Sequence, residues 1–441
     1  MIAGDRTDTI HALASGPPPA GVAVVRVSGP LIPRLEREWI GRALEPRRAT
    51  LASLSDEAGG VLDRALVLRF VAPHSFTGED VMELHLHGGR AVVAAVEKHL
   101  LAFGSRPAEP GEFTMRAHLN GRIDLIETER LADLIEAETE AQRRFASSDR
   151  GRRNGAIYEE WRSRLIDTWA LLEASLDFAD EDDAPVEVAD EVSRTVRDLH
   201  ADIREHLAGA RASEIVRDGY RLVLAGAPNA GKSSLLNALA ERDIAIVTDV
   251  PGTTRDVLEV SLDVKGYKII VSDTAGLRGG ADRVETIGIE RARETINRAD
   301  GVLWLTAPDA PNGDTGMPNN VSEALPSVLR VATKSDLGGS FAPHDIAISV
   351  RTGEGLDALI ARIAELVRAR VPSEMDSIPI AARHERHCRA CLAFLERAET
   401  GPVELKAEAL RHAAAELGRI TGSVDIENVY DAIFSRFCMG K

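Results

Sequence analysis

GAPNAGKS, residues 226 to 233, lies directly between the apolar run RLVLA (221–225) and the helix-patterned SLLNALA (234–240). It fits GxxxxGK[ST] in the setting that gives this pattern meaning, a strand turning into a helix. Glycines let successive backbone N–H groups close around phosphate oxygens. Lys232 brings positive charge to the outer phosphates, and the Ser233 hydroxyl is a hard oxygen ligand suited to Mg²⁺. On the carboxyl side, KIIVSD, GVLWLTA and VLRVATK alternate with helical patterns to about Val371. Strands and helices in that alternation predict a parallel, doubly wound sheet.

Two further motifs fall at strand ends of the same stretch. DTAG (Asp273, Thr274, Ala275, Gly276) follows KIIVS, so Asp273 is expected to hold magnesium through water and Gly276 to meet the γ-phosphate through its N–H. TKSD (Thr333, Lys334, Ser335, Asp336) follows VLRVA. There the Asp336 carboxylate can accept both N–H groups on the Watson–Crick edge of guanine, a pair of donors that adenine lacks. Thr333 stands where Asn is usual, removing an amide that braces the loop and contacts the base, so weaker guanine affinity is expected. ISVRTGEG places Ser349, Val350 and Arg351 like the loop whose backbone meets the guanine oxygen. GTP is therefore expected over ATP. The position after DTAG, where a glutamine can orient the attacking water, is Leu277, which has no hydrogen-bonding group. Asn229, with the backbone oxygens and hydroxyls of TDVPGTTRD (Thr248 to Asp256), offers a place for a monovalent cation near the bridging oxygens, and Thr254 would complete the Mg²⁺ shell.

The 441 residues, 44% of them apolar, suffice for roughly three ordinary domains. A net charge of −17 argues against indiscriminate nucleic-acid binding and confines any such contact to a local basic patch. Three cysteines are too few for a disulfide framework and favour a reducing compartment. With neither a signal-peptide pattern nor a membrane-length apolar run, a cytoplasmic protein is expected. Near the amino terminus GVAVVRV and ALVLRF read as strands. VMELHLH alternates, with Met82, Leu84 and Leu86 on one face and Glu83, His85 and His87 on the other, and AVVAAVEKHLLAF reads as a helix. Residues to about 118 thus form an α/β or α+β domain. Helical patterning occupies Ile126 to Leu176, resumes after the acidic stretch broken by Pro185, and returns beyond the phosphate-binding unit. The expected division is 1–118, 119–215, 216–372 and 373–441, with the α/β unit inserted into a helical domain.

PNAGKSSLLNAL, TDVPGTTRDV, DTAGLR with GIERA downstream, and the terminal FCMGK together resemble the MnmE (TrmE) family of tRNA wobble-uridine modification GTPases, over essentially the whole chain. The resemblance implies a multidomain α/β architecture: an amino-terminal folate-binding and dimerisation α+β domain, a helical domain, and an inserted Ras-like P-loop GTPase domain. It implies a homodimeric, potassium-activated GTPase. With a flavin-containing (FAD) partner of the MnmG type, this enzyme installs a carboxymethylaminomethyl or aminomethyl group at C5 of the wobble uridine of certain tRNAs. The one-carbon unit would come from 5-formyltetrahydrofolate or 5,10-methylenetetrahydrofolate. Residue by residue, GTP would be bound by Asn229, Ala230, Gly231, Lys232, Ser233 and Ser234, by Thr248, Asp249, Val250, Pro251, Gly252, Thr253 and Thr254, and by the strand-end motifs already described. Potassium would be held by Asn229, Thr248, Val250 and Thr253, and Mg²⁺ by Ser233 and Thr254. Glu285 would be the catalytic glutamate, orienting water through a second water. Folate would be contacted by Arg26, Glu83, Arg122 and Lys441. The competing class is a ribosome-assembly GTPase, which needs an RNA-binding appendage that nothing here resembles.

Two cysteine features stay open between chemistry and packing. Cys438, in FCMGK, is either a thiol acting beside one-carbon chemistry or, with Phe437, an anchor for the tail; the sequence after it does not fit prenylation. HERHCRAC (His384 to Cys391) holds four potential zinc ligands on one predicted helix, and helix packing with solvated histidines is the expectation. Arg143, Arg144, Arg150, Arg152 and Arg153 form the most basic stretch, either a tRNA contact or a solvated helix surface.

Overall fold

The computed structural model describes residues 8–177, 186–242, 244–246, 259–273, 299–309, 327–338, 343–371, 381–423, 433, 437 and 440. The chain divides into two compact units, residues 1–132 with 414–441, and residues 133–413.

The first unit is built on a six-stranded sheet of order β3-β4-β5-β2-β1-β6. Its strands are β1 (Ile10–Leu13), β2 (Ala20–Ser28), β3 (Thr50–Ser55), β4 (Val61–Phe70), β5 (Val81–Gly88) and β6 (Arg106–Pro107). The period-2 alternation fixes which face is covered. Val25, Val27, Ala65, Val67, Met82 and Leu84 are fully buried, in one core with Val96 and Leu100 of α2 (Arg90–Ala102) and Ile32 and Leu35 of α1 (Ile32–Leu35). In-register pairing then sets Arg26 directly opposite Glu83 on the other face. Helix α3 (Glu112–Leu119) carries Arg116, which is buried yet donates to Asp8, Glu79 and Glu112, while Arg106 grips Glu112 with both terminal nitrogens.

The helical stretch expected from 126 to 176 is divided among three helices: α4 (Leu125–Glu136), α5 (Glu140–Ser147) and α6 (Arg150–Asp177). The break before α5 has a local cause. Thr139 and Gln142 form a reciprocal capping box, which satisfies backbone N–H groups that a continuous helix would use otherwise. Helices α7 (Val186–Ala208) and α8 (Ala210–Asp218) follow. The second sheet has the order β12-β11-β10-β7-β9-β8. Its strands are β7 (Tyr220–Gly226), β8 (Glu259–Val264), β9 (Tyr267–Asp273), β10 (Gly301–Thr306), β11 (Val328–Ala332) and β12 (Ile346–Ala347); all pairings are parallel except β8 with β9. Helices α9 (Lys232–Ala240) and α10 (Leu356–Arg370) belong to this unit, as does α11 (Ala382–Thr400), which packs on α7; α12 (Val403–Thr421) spans the division.

The histidines of HERHCRAC are not solvated. His384 is fully buried, in T-shaped contact with Tyr158 at 5.5 Å, and His387, Cys388 and Cys391 are buried as well. The helix turns that face toward the bundle, and burial pushes the Cys388 thiol up to about 12, the opposite of a reactive thiolate. No group of three or more His, Cys, Asp or Glu among the described residues converges on a metal-sized site. Among the same residues no helix is long and apolar enough to cross a membrane.

Candidate nucleotide site and its neighbours

The motif residues lie at the carboxyl ends of β7, β9, β11 and β12, around the point where β7 is flanked by β9 on one side and β10 on the other. At the end of β7 the chain must pass Gly226 at φ +143°, where a Cβ would fall inside contact distance of the Leu305 carbonyl. Asn229 follows at φ +64° and Gly231 at φ +86°, so the loop reaches α9 through two left-handed residues flanking Ala230. The first turn of α9 begins there, and a helix N-terminus is suited to an anion.

Lys232 folds back over this loop, its Nζ donating to the Gly226 and Ala227 carbonyls at 2.9 Å each. One residue on, Ser233 Oγ donates to Asp273 Oδ2 at 2.8 Å, which brings together the two groups expected to serve magnesium. Asp273 closes β9 and is buried. A hydroxyl and a carboxylate leave most of an octahedral shell to water and phosphate oxygens, the usual way Mg²⁺ is held.

The residues expected to read the base meet at β11 and β12. Asp336 accepts from Ser349 Oγ at 2.7 Å and pairs with Arg351 Nε at 3.0 Å. The Ser349 hydroxyl, with the Arg351 charge behind it, holds the Asp336 carboxyl below its ordinary range, so it is an ionised acceptor at neutral pH. Ser335 donates its N–H to the Ile348 carbonyl, tying the TKSD and ISVR loops together, and Val350 sits in the turn between Ser349 and Arg351. Lys334, at φ +56°, points its ammonium to Asp309. The brace expected to be lost with Asn is present in another form: Thr333 Oγ1 donates to the Ala230 carbonyl of the phosphate loop at 2.7 Å. Ser234 lies in the first turn of α9. Thr248, Asp249, Val250, Pro251, Gly252, Thr253, Thr254, Thr274, Ala275, Gly276, Glu285, Cys438 and Lys441 lie outside the described residues.

In the first unit Arg26 donates to Glu83 at 3.1 Å, and its guanidinium lies 5.4 Å from the Phe76 ring centre and 5.7 Å from that of Phe113. His85 Nε2 stands 3.6 Å from the same carboxylate. Arg122 packs against Gly78, in the loop that carries Phe76. The tail returns to this place. Phe437 is buried, and the Gly440 carbonyl lies 3.5 Å from Arg26 NH1, at φ +97° and so close to Leu13 that a Cβ would not fit. Phe76, Phe113 and the Asp8–Glu79–Arg106–Glu112–Arg116 network gave no sequence signal; Arg116 reaches Glu79 across 37 residues and Asp8 across 108, and its short-range bond to Glu112 looks like any helical ion pair. Arg143 and Arg144 both donate to Glu140, which offsets part of the charge of the basic stretch; the side chains of Arg150 and Arg152 lie outside the described residues.

Comparison with known proteins spans the chain. A family model described as "GTP-binding protein TrmE N-terminus" matches residues 9–122, and one described as "MnmE helical domain" matches residues 125–438. A protein of Chelativorans sp. named tRNA modification GTPase MnmE is 49% identical over 446 residues, covering 98% of each chain. Its namesake from Mesorhizobium japonicum is 49% identical over 451 residues and covers 100% of each. That of Brucella ovis is 47% identical over 447 residues, 99% of each.

Proposed function

Because this chain belongs to the MnmE (TrmE) family, we infer that it is a GTP hydrolase whose cycle serves modification of the tRNA wobble uridine. What carries this is identity of nearly one half across essentially the full length of relatives named tRNA modification GTPases. None of these relatives is named a ribosome-assembly GTPase. Hydrolysis requires water to attack the γ-phosphorus as the bond to the bridging oxygen breaks, leaving GDP and phosphate. Backbone N–H groups of the phosphate loop and Lys232 hold the phosphates, and Asp336, set by Ser349, takes the guanine edge. Ser233, with Asp273 acting through water, would hold Mg²⁺, which when bound neutralises charge on the β- and γ-phosphate oxygens.

The finer proposal adds a potassium ion near the bridging oxygens, held by Asn229, Thr248, Val250 and Thr253, with Thr254 on magnesium and Glu285 orienting water. Asn229 suits this: it is exposed, in the left-handed turn of the loop between β7 and α9. Arg26, Glu83, Arg122 and Lys441 would take the one-carbon folate. The Arg26–Glu83 pair offers both a donor fork and an acceptor to a pterin edge, between two aromatic rings. Cys438 precedes this corner of the tail by two residues. The working assembly would be a homodimer joined by an MnmG-type flavoprotein carrying FAD, adding the aminomethyl-type group to tRNA. The division at residues 118, 215 and 372 belongs to the same proposal, supported by α11 returning to α7 across the intervening sheet.

Reconstitution tests it: purified chain, MnmG-type partner, unmodified tRNA, methylenetetrahydrofolate and an amine donor, with wobble nucleosides read by mass spectrometry. Modification with GTP and none with GDP is expected. Equal modification with GDP, or none with GTP, would overturn it.

A further inference from the structure

Thr333 sits where the two halves of the nucleotide site meet. Its side chain is buried, 2% exposed, and its single hydroxyl proton faces two carbonyls, Ala230 at 2.7 Å and Thr306 at 3.1 Å. Thr306 already accepts from the Thr333 backbone N–H at 2.7 Å, so the shorter bond to Ala230 is the one that needs the hydroxyl. Ala230 is fully buried, between Asn229 at φ +64° and Gly231 at φ +86°. A strained turn of this kind persists only where its surroundings fix it, and the Thr333 bond grips its middle residue. The Thr333 side chain also lies 3.6 Å from where a Gly231 Cβ would stand, so the two loops are in packing contact as well. Three residues on, the same loop carries Asp336.

We propose that Thr333 is a positioning residue: its hydroxyl locks the phosphate loop to the guanine-reading loop, and so sets how long the protein retains nucleotide. This rests on the nucleotide site described above, but the role of the hydroxyl is separate from it. A threonine offers one donor where an asparagine amide offers two. The coupling in this chain therefore hangs on one proton, and a variant without it leaves the Ala230 carbonyl buried and unsatisfied.

The test uses the full-length chain and fluorescent GDP. Thr333→Val keeps the shape and removes the donor; it should release GDP roughly tenfold faster and raise KM for GTP to a similar degree, with kcat within about twofold. Thr333→Ser, which restores the hydroxyl without the methyl, should bring release back to within about twofold of wild type. Melting temperature is followed for each, and if the Val variant does not fold, Thr333→Ala against Thr333→Ser gives the same contrast. Release from folded Thr333→Val at the wild-type rate overturns the proposal while wild-type GDP binding upholds the site. Ser behaving like Val overturns it too, since the methyl would then be the working part. A wild-type protein that binds no GDP would overturn the nucleotide site itself.

Discussion

Replacing Asp336 with Asn changes one atom at the proposed base-reading loop, and the surroundings dictate how that atom must face. Ser349 Oγ donates to Asp336 Oδ1 at 2.7 Å, and Arg351 Nε approaches Oδ2 at 3.0 Å. The Asn oxygen should keep the Ser349 donor and leave the new NH₂ where Oδ2 stood, toward Arg351 and the base. Guanine then meets a donor where it needs an acceptor. Losing one hydrogen bond to a charged group costs roughly tenfold to a hundredfold in affinity, and two opposed donors add to that. A loss of about a hundredfold or more in GTP affinity is expected, with a gain for XTP, whose carbonyl can accept from the new amide. Competition of GTP and XTP against fluorescent GDP, on wild type and Asp336→Asn with matched melting curves, measures both. Unchanged GTP binding in the folded variant would show that another group reads the base.

Further outcomes are expected elsewhere. Hydrolysis should be faster in K⁺ than in Na⁺ at constant ionic strength, and equal rates would remove the proposed potassium site. Glu285→Ala should depress kcat while leaving GTP affinity nearly intact; a parallel loss of binding would make Glu285 structural. In the first unit, burial pushes the carboxyls of Asp8 and Glu112 up, but hydrogen bonds from Arg106 and Arg116 outweigh it and leave both below their ordinary range. Their contribution is then complete above the unfolded carboxylate range and declines as pH falls through the depressed folded values. Arg116→Met should cost roughly 3 kcal/mol at neutral pH and flatten that decline below the ordinary carboxylate range, seen in melting temperature against pH. An unchanged acid profile would mean that the network is not coupled to folding.

The strand–loop–helix turn at GAPNAGKS was legible because its signals are local: two glycines, Lys232 and Ser233 between an apolar run and a helical pattern. VMELHLH was legible for a similar reason, since a period of two assigns faces without knowing the partner, and Met82, Leu84 and Leu86 are indeed buried, with Val81 at the strand's start buried as well. Contacts closed by the tertiary fold were not. Arg116 meets Asp8 across 108 residues and Thr333 meets Ala230 across 103, and no spacing rule reaches that far. HERHCRAC lies between these cases. Helical period gives His384 and Cys388 a common face, but only the packing of α11 on α7 shows that the face is covered. The break at Thr139 is different again: T-E-A-Q is a local capping signal, hidden inside a longer helical pattern.

The proposed function requires that GTP hydrolysis at this site drive wobble-uridine modification in the cell. Nucleoside mass spectrometry of tRNA from a strain lacking the chain, complemented with wild type or with Ser233→Ala, tests that link. Ser233→Ala removes the hydroxyl that now donates to Asp273 and would bind magnesium. Restored C5-modified wobble uridine with wild type and unmodified uridine with stably expressed Ser233→Ala is the expected result. Full modification by a Ser233→Ala protein shown to be unable to hydrolyse GTP would contradict it.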